Sequence, residues 1–331
     1  MDNRTIRQAF LALLSGVLAT CSAAPARAQA WLPPKGEAWL SLGYGNSFST
    51  KHYLGLADPD GNVENDAGHT RMQTVGLQLG YGITDRLAMS VGIPFVSGKY
   101  MGTRPHVLNG VIATADDGGY HGTFQDYQIR VAYRLFNGPL AVSPFAAAVI
   151  PSHSYTYYSH AAPGRDLREF HLGFSGGALL DRILAGSYVQ ATYAYAFVER
   201  VEVADVSLNR SDFAVELGYF LTPSLAARAV GDGYYTHGGL VFRTPGNLPP
   251  ELLLHHDQIG KVSAVHVGGG LSYALTGSTE VSATYRLSVY GRGGHKLDHG
   301  LTLGATWSFS PEQIVRRMLP PKSPDPVSPP R

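Results

Sequence analysis

The chain has 331 residues, with 26 Lys and Arg against 25 Asp and Glu and a formal net charge of +1. Only 15% of residues are charged, while Gly (39) and Tyr (19) are abundant; a soluble domain carries roughly 25% charge. With a mean hydropathy close to zero, these values exclude a disordered polyelectrolyte and a basic nucleic-acid surface, and no segment after residue 30 approaches the roughly 18 consecutive apolar residues of a membrane helix.

Arg4 and Arg7 form a basic start, residues 9–20 (AFLALLSGVLAT) an apolar stretch, and residues 26–30 (ARAQA) an A-x-A-like cleavage site after Ala30. This is the pattern of a secretory signal, and its apolar part is too short for an anchoring helix. A lipid-anchored variant would need Cys21, but Thr20 before it is unfavourable. Cleavage after Ala30 removes the single cysteine and leaves 23 basic and 24 acidic residues. An exported chain without disulfides fits a bacterial envelope.

From residue 38 onward the period is two, the signature of strands. Ala38, Leu40, Leu42 and Tyr44 share the first apolar face. Val75, Leu77, Leu79 and Tyr81 make the second, Leu87 to Phe95 the third, and Tyr127, Ile129, Val131, Tyr133 and Leu135 the fourth. The fifth, near 140–150, is apolar on both faces, so its phase is open. Phe170, Leu172 and Phe174 resume the pattern, followed by Val189 to Phe197, Phe213 to Tyr219, and Leu225, Ala227 and Ala229. Val265, Val267, Leu271 and Tyr273 form the tenth, Val281, Tyr285, Leu287 and Val289 the eleventh, and Leu301 to Phe309 the twelfth.

The opposite faces separate a soluble sandwich from a membrane barrel. A sandwich turns its polar face to water and fills it with Lys and Glu; a barrel fills a lumen with small polar residues and paired charges. Here the polar faces carry Gly, Ser and Thr with isolated Arg, Asp and Glu. Segments of about ten residues also suit a tilted crossing of a bilayer. Short connections near 84–86, 137–139, 181–186, 222–224 and 276–279 alternate with long ones near 49–70, 98–123, 151–167, 199–210, 235–261 and 291–299. The predicted fold is an all-β, antiparallel, up-and-down transmembrane barrel of about twelve strands, with short periplasmic turns and long extracellular loops. Tyr81, Phe136, Tyr219, Tyr273, Trp307 and Phe309 gather at the short-turn ends as an interfacial girdle. Residues 310–331 hold seven of the 21 prolines and four basic residues, Arg316, Arg317, Lys322 and Arg331; they read as a periplasmic tail. The organisation is therefore signal peptide 1–30, barrel 31–309 and tail 310–331.

The segments YGITDRLAMSVGIPFV (81–96), GTFQDYQIRVAYRL (122–135), LNRSDFAVELGYFLTPSLAARA (208–229) and YGRGGHKLDHGLTLGATWSF (290–309) resemble the outer-membrane barrel family named for the meta-pathway of phenol degradation. The resemblance spans roughly 36–309. It implies a channel for aromatic or hydrophobic compounds, and it brings no established set of substrate-binding residues. The tail after Phe309 departs from the usual aromatic ending of such chains.

By strand parity, Arg130, Arg134, Glu169, His171, Asp212, Glu216, Arg228, Asp232, His266, Arg286 and Arg292 are candidates to line or constrict a lumen. Arg130, Arg134, Arg228, Arg286 and Arg292 are available to pair with Asp126, Glu169, Asp212, Glu216 and Asp232, because unpaired charge in a narrow lumen is costly. Such pairs form either a structural plug or a selective constriction. Tyr155, Tyr157, Tyr158, Tyr234 and Tyr235 flank the loop entrances, where rings stack on an aromatic solute or anchor at the interface. Eleven of the 13 histidines fall in loops or at strand ends, and pairs such as His255 and His256 show no converging metal-ligand spacing. No metal site or cofactor is expected. Ser175 and His171 share a face, but it is the lumen rather than the lipid side where an outer-membrane lipid hydrolase works, and no third group orients them. The expected function is passive uptake of small hydrophobic or aromatic compounds across the outer membrane. The expected partners are membrane lipid, lipopolysaccharide, the solute and the assembly machinery. The alternatives are a closed structural or surface-interaction barrel and a lipid-modifying enzyme.

Overall fold

In the computed structural model, residues 31–53, 64–65, 68–136, 138–241 and 249–318 are described. The segment 1–30 read as a signal peptide, with Cys21 and the expected cleavage site, Asn137, and tail residues 319–331 lie outside them.

Twelve strands form the barrel wall: β1 Ala38–Ser49, β2 His69–Gly82, β3 Leu87–Met101, β4 Asp126–Tyr133, β5 Leu140–Pro151, β6 Glu169–Leu179, β7 Ser187–Val198, β8 Arg210–Phe220, β9 Leu225–Thr236, β10 Ser263–Ala274, β11 Thr279–Arg292 and β12 His299–Phe309; the short strand His121–Phe124 joins the same sheet against β3, just before β4. Each pairs antiparallel with its sequence neighbours. Leu42 of β1 lies opposite Leu77 of β2 and Ala305 of β12, so the first and last strands close the sheet and no free edge remains. All twelve segments read from the alternation are strands of this barrel.

The alternation is resolved into an outside and an inside. Leu77, Val91, Leu172, Val215, Leu217, Leu271, Leu287 and Leu303 are between 38% and 53% exposed on the outer face. Ala132, Ser143, Ser175, Ala194, Ser272 and Ser288 are buried on the inner face. An apolar band of this extent is unstable in water and stable in lipid. The open phase of the fifth segment is settled by register: Ala146 lies opposite Val131 and Leu172, both outward, so Phe145 points inward with its partners Ala132 and Gly173. Close approach inside the barrel demands glycine at two inward positions. A Cβ on Gly80 would strike the Trp39 indole at 2.3 Å, and one on Gly218 would strike the Tyr188 ring at 2.1 Å.

The turns share a local chemistry. Thr84 Oγ1 accepts the Arg86 and Leu87 amides at 3.2 and 2.9 Å. Thr222 Oγ1 does the same for Ser224 and Leu225 at 3.3 and 3.0 Å, and Thr276 Oγ1 accepts Ser278 N at 3.2 Å. A threonine hydroxyl that takes up amides two and three residues on is what makes these tight reversals.

The long-loop end is covered by its own small cores. Leu167, Ala196, Val198, Val201, Leu208 and Ile259 form one, with Leu252 against it; Tyr100, Ala115 and Ala161 form another with Met72. At the short-turn end, the segment 31–37 runs from the β2–β3 turn to the β4–β5 turn. Arg134 Nη2 donates to the Leu32 carbonyl, Trp31 Nε1 donates to Gly138 O at 3.1 Å, and Gly36 N donates to Gly82 O at 2.9 Å. Beyond β12, Pro311–Met318 forms a helix that the proline-rich composition did not announce; Pro311 stands where a helix needs no amide donor.

Candidate functional site: the lumen and its mouth

Inward parity on β6 and β8 builds the upper tier of the lumen. Arg210 donates from Nη1 and Nη2 to the two Glu169 oxygens at 2.7 and 2.6 Å, and from Nε to Asp212 at 2.8 Å. His171 places Nε2 2.9 Å from Glu169 and Nδ1 3.6 Å from Asp212. Arg165, delivered by the loop between β5 and β6, stands 3.5 Å from Glu169. Arg210 therefore takes the partners that Arg130 and its companions were expected to share. Arg210 falls at the end of the connection 199–210, and its parity with Asp212 marks it for the lumen; Arg165 has no sequence signal, because loop folding alone brings it inward.

Two lower tiers pair lumen-face cations with lumen-face carboxylates. Arg286 donates to Asp232 at 2.7 Å, with His266 Nδ1 3.0 Å from the same carboxylate. Arg228 donates to Glu216 at 3.3 Å and to Thr284 at 3.0 Å, while Tyr188 and Gln190 donate to Glu216 at 2.8 and 3.1 Å.

Three expected partners go elsewhere. Asp126 accepts the Tyr155 hydroxyl at 2.5 Å. Arg134, at the short-turn rim, donates to the Asp85 carbonyl at 2.8 Å as well as to Leu32. Arg292 is displaced from the lumen series. A β-bulge between Val265 and His266 shifts the β10–β11 register, so Arg292 lies opposite Ser263, on the parity of Val265 and Tyr290. Parity counted from Arg286 misses this, because an inserted residue reverses every face beyond it.

Arg130 is different in kind. Its Nη2 donates to Ser175 at 2.7 Å, and its guanidinium lies 3.8 Å from the centre of the Phe145 ring. Among the described residues no carboxylate is within ion-pair distance of it. Arg130 and Phe145 face a cavity of 480 Å³ that also touches Gln128, Glu169 and His171. A second cavity of 240 Å³ is bounded by Glu216, Asp232 and Arg286. Ser175, held by Arg130 and by Thr192 at 3.0 Å, lies four residues along the strand from His171, about 13 Å at 3.3 Å per residue; the two side chains share no hydrogen bond.

The loop tyrosines do not form one aromatic ring around the entrance. Tyr155 is buried, and its phenol is pushed up by burial and by the Asp126 acceptor. Tyr158 is buried and donates to Val107 O at 3.1 Å. Tyr157 stacks on His255 at 5.4 Å. Tyr234 faces inward on β9 at the height of Asp212, while Tyr235 is 45% exposed on the outer face with Lys261 over its ring.

The loop histidines do converge, against the expectation from their spacing. His52, His106, His160, His256 and His295 come from five loops to one place at the mouth. His52 and His295 have Nε2 atoms 3.1 Å apart, as have His106 and His256; the His106 and His160 rings lie 4.1 Å apart. Burial, then His160, holds His52 down to about 4; burial, then His106, does the same for His160. Burial alone lowers the His256 pKa, and the Asp257 carboxylate and Leu253 carbonyl reverse it to a net rise. Asp116 lies at the centre: burial raises its pKa, but donors from His106 and Ser159 hold it well below the usual carboxylate range. Residues scattered over more than 240 positions carry no common spacing, so only loop folding reveals the group.

A solved structure shares this architecture across nearly its whole length. An outer-membrane channel from Pseudomonas putida F1 superposes with a TM-score of 0.63 at 13% identity, over 86% of this chain and 99% of that one. The fold is that of an outer-membrane β-barrel. The NanC porin (11% identity, 81% of this chain and 98% of that one, TM-score 0.46) and the KdgM porin in complex with oligogalacturonate (10%, 81% and 99%, 0.41) superpose too loosely to add to it. No protein-family model and no curated protein matches the chain.

Proposed function

We propose that the protein is an outer-membrane channel for passive movement of small solutes, and that aromatic compounds bearing a carboxylate are its preferred class. One observation carries this reading: Arg130, a lumen cation with no carboxylate partner among the described residues, lies over the face of Phe145 beside the 480 Å³ cavity. A guanidinium beside an apolar ring takes an anion and an aromatic body together. The polar, charge-paired wall supports passage rather than a packed interior. The resemblance of 81–96, 122–135, 208–229 and 290–309 to the phenol-degradation family supports the same solute class, and the channel named for the Pseudomonas neighbour supports the mode of action.

The chain is then exported with residues 1–30 as its signal and 310–331 on the periplasmic side. Arg71 and Lys99, opposite each other in register on the outer face near the loop end, with Phe48 and Tyr120 beneath them, suit the phosphates of lipopolysaccharide. The test is planar-bilayer conductance together with benzoate uptake by liposomes. The expected result is small conductance and benzoate flux, with Arg130→Gln lowering the benzoate flux several-fold more than that of a neutral sugar. A barrel that neither conducts nor admits benzoate overturns the reading in favour of a closed barrel, which the packed loop cover and the segment 31–37 would then explain.

A further inference from the structure

Two histidines at the mouth bring their Nε2 atoms within 3.1 Å of each other, with the ring centres 4.8 Å apart. His106 places Nδ1 2.8 Å from Asp116 Oδ2, and His256 places Nδ1 2.9 Å from the Leu253 carbonyl. Both acceptors require an N–H, so each ring in its neutral form carries its proton on Nδ1 and presents Nε2 as the free donor atom for a metal. The bare nitrogens are 3.1 Å apart, and Asp257 Oδ1 lies 3.1 Å from that of His256. Two bare imidazole nitrogens and a carboxylate oxygen within 4.8 Å of one another repel unless a cation stands between them. Tetrahedral coordination at about 2.0–2.1 Å sets ligand nitrogens about 3.3 Å apart, close to the separation seen.

We propose that His106 Nε2, His256 Nε2 and Asp257 Oδ1 bind one divalent transition-metal ion of the class that prefers imidazole with oxygen, represented by Zn2+. The surrounding contacts are those of a supported metal site. Asp116 orients His106 and is itself fixed by the His106 amide at 2.8 Å, the Ser159 hydroxyl at 2.5 Å and the His160 amide at 3.2 Å. A carboxylate saturated in this way serves as an orienting group rather than a ligand. The neighbouring set His52, His160 and His295 also lies within ligand range, but His160 Nε2 is engaged by the Arg104 carbonyl at 3.0 Å, and among the described residues no carboxylate or carbonyl hydrogen-bonds the rings of His52 and His295. The metal ties the loop between β3 and β4, which carries His106, to the loop between β9 and β10, which carries His256 and Asp257. Coordination therefore cross-links the cover of the barrel.

The full-length mature barrel, purified without a histidine tag and stripped with chelator, is titrated with ZnCl2 by calorimetry and with CoCl2 by visible absorption. One ion per chain and a ligand-field band are expected, with no comparable binding of Ca2+. His106→Gln and His256→Gln each lower affinity at least tenfold, and Asp116→Asn lowers it roughly 10- to 100-fold. The double variant His52→Gln/His295→Gln stays within a few-fold of the parent. Retention of the heat-modifiable electrophoretic shift shows that each variant still forms the barrel. Absence of Zn2+ binding by the parent, which would leave a shared proton between the rings, overturns the proposal. So does binding that survives in His106→Gln and His256→Gln and disappears in the double variant. These readouts stand whether or not the barrel conducts.

Discussion

Glu169 shows how much one lumen side chain organises. It accepts both ends of the Arg210 guanidinium and lies within reach of His171 and Arg165, with its side chain only 9% exposed. Removing its charge leaves two guanidinium groups facing each other, and breaking such a pair costs about 3–5 kcal/mol. Glu169→Gln should therefore lower the urea midpoint of the barrel in lipid vesicles, read by the heat-modifiable shift. Restoring neutrality with Glu169→Gln/Arg210→Met should recover most of that loss. Gly218 makes the steric counterpart. Gly218→Val would drive a side chain into Tyr188 and displace its hydroxyl from Glu216. Overpacking of this kind costs about 1–3 kcal/mol, measurable by the same midpoint.

At the scale of the strand, the two faces of one element obey opposite rules. Val215 of β8 is 45% exposed on the outer face, and an arginine placed at the midplane of a barrel wall costs about 2–4 kcal/mol. Val215→Arg should impair folding into vesicles by that amount. Gln190→Arg, on the lumen face of β7 beside Glu216, should cost under about 1 kcal/mol, because the new charge finds a partner. Two of the reversals repeat one device, a threonine hydroxyl accepting amides two and three residues on. Thr84→Val and Thr222→Val should each cost about 1 kcal/mol, the net worth of the lost hydrogen bonds.

For the whole molecule, closure decides what the strands enclose. The loop cover at one end and the segment 31–37 at the other bracket the two cavities. Arg134 and Gly138 hold that segment through Leu32 O and Trp31. A mature chain shortened to begin at Lys35 loses both contacts, and its single-channel conductance should exceed that of the longer chain. Equal conductance would place the narrowest point elsewhere, at the Arg210–Glu169 tier or beneath the loops.

The strands, their faces and the alternation of short and long connections were legible in the chain itself, because a barrel wall imposes a two-residue period on every strand. The lumen-face positions of Arg228, Glu216, Arg286 and Asp232 followed from the same parity; which cation meets which carboxylate did not. The inward face of β5 did not, since apolar residues on both sides carry no phase; its register against β4 and β6 set it. Nor did Arg292, because a bulge is a property of two paired strands. Arg165, the course of 31–37 along the short-turn end and the five converging histidines belong wholly to the tertiary structure. Loops have no period to read, and their side chains meet only where the closed barrel brings the loop ends together.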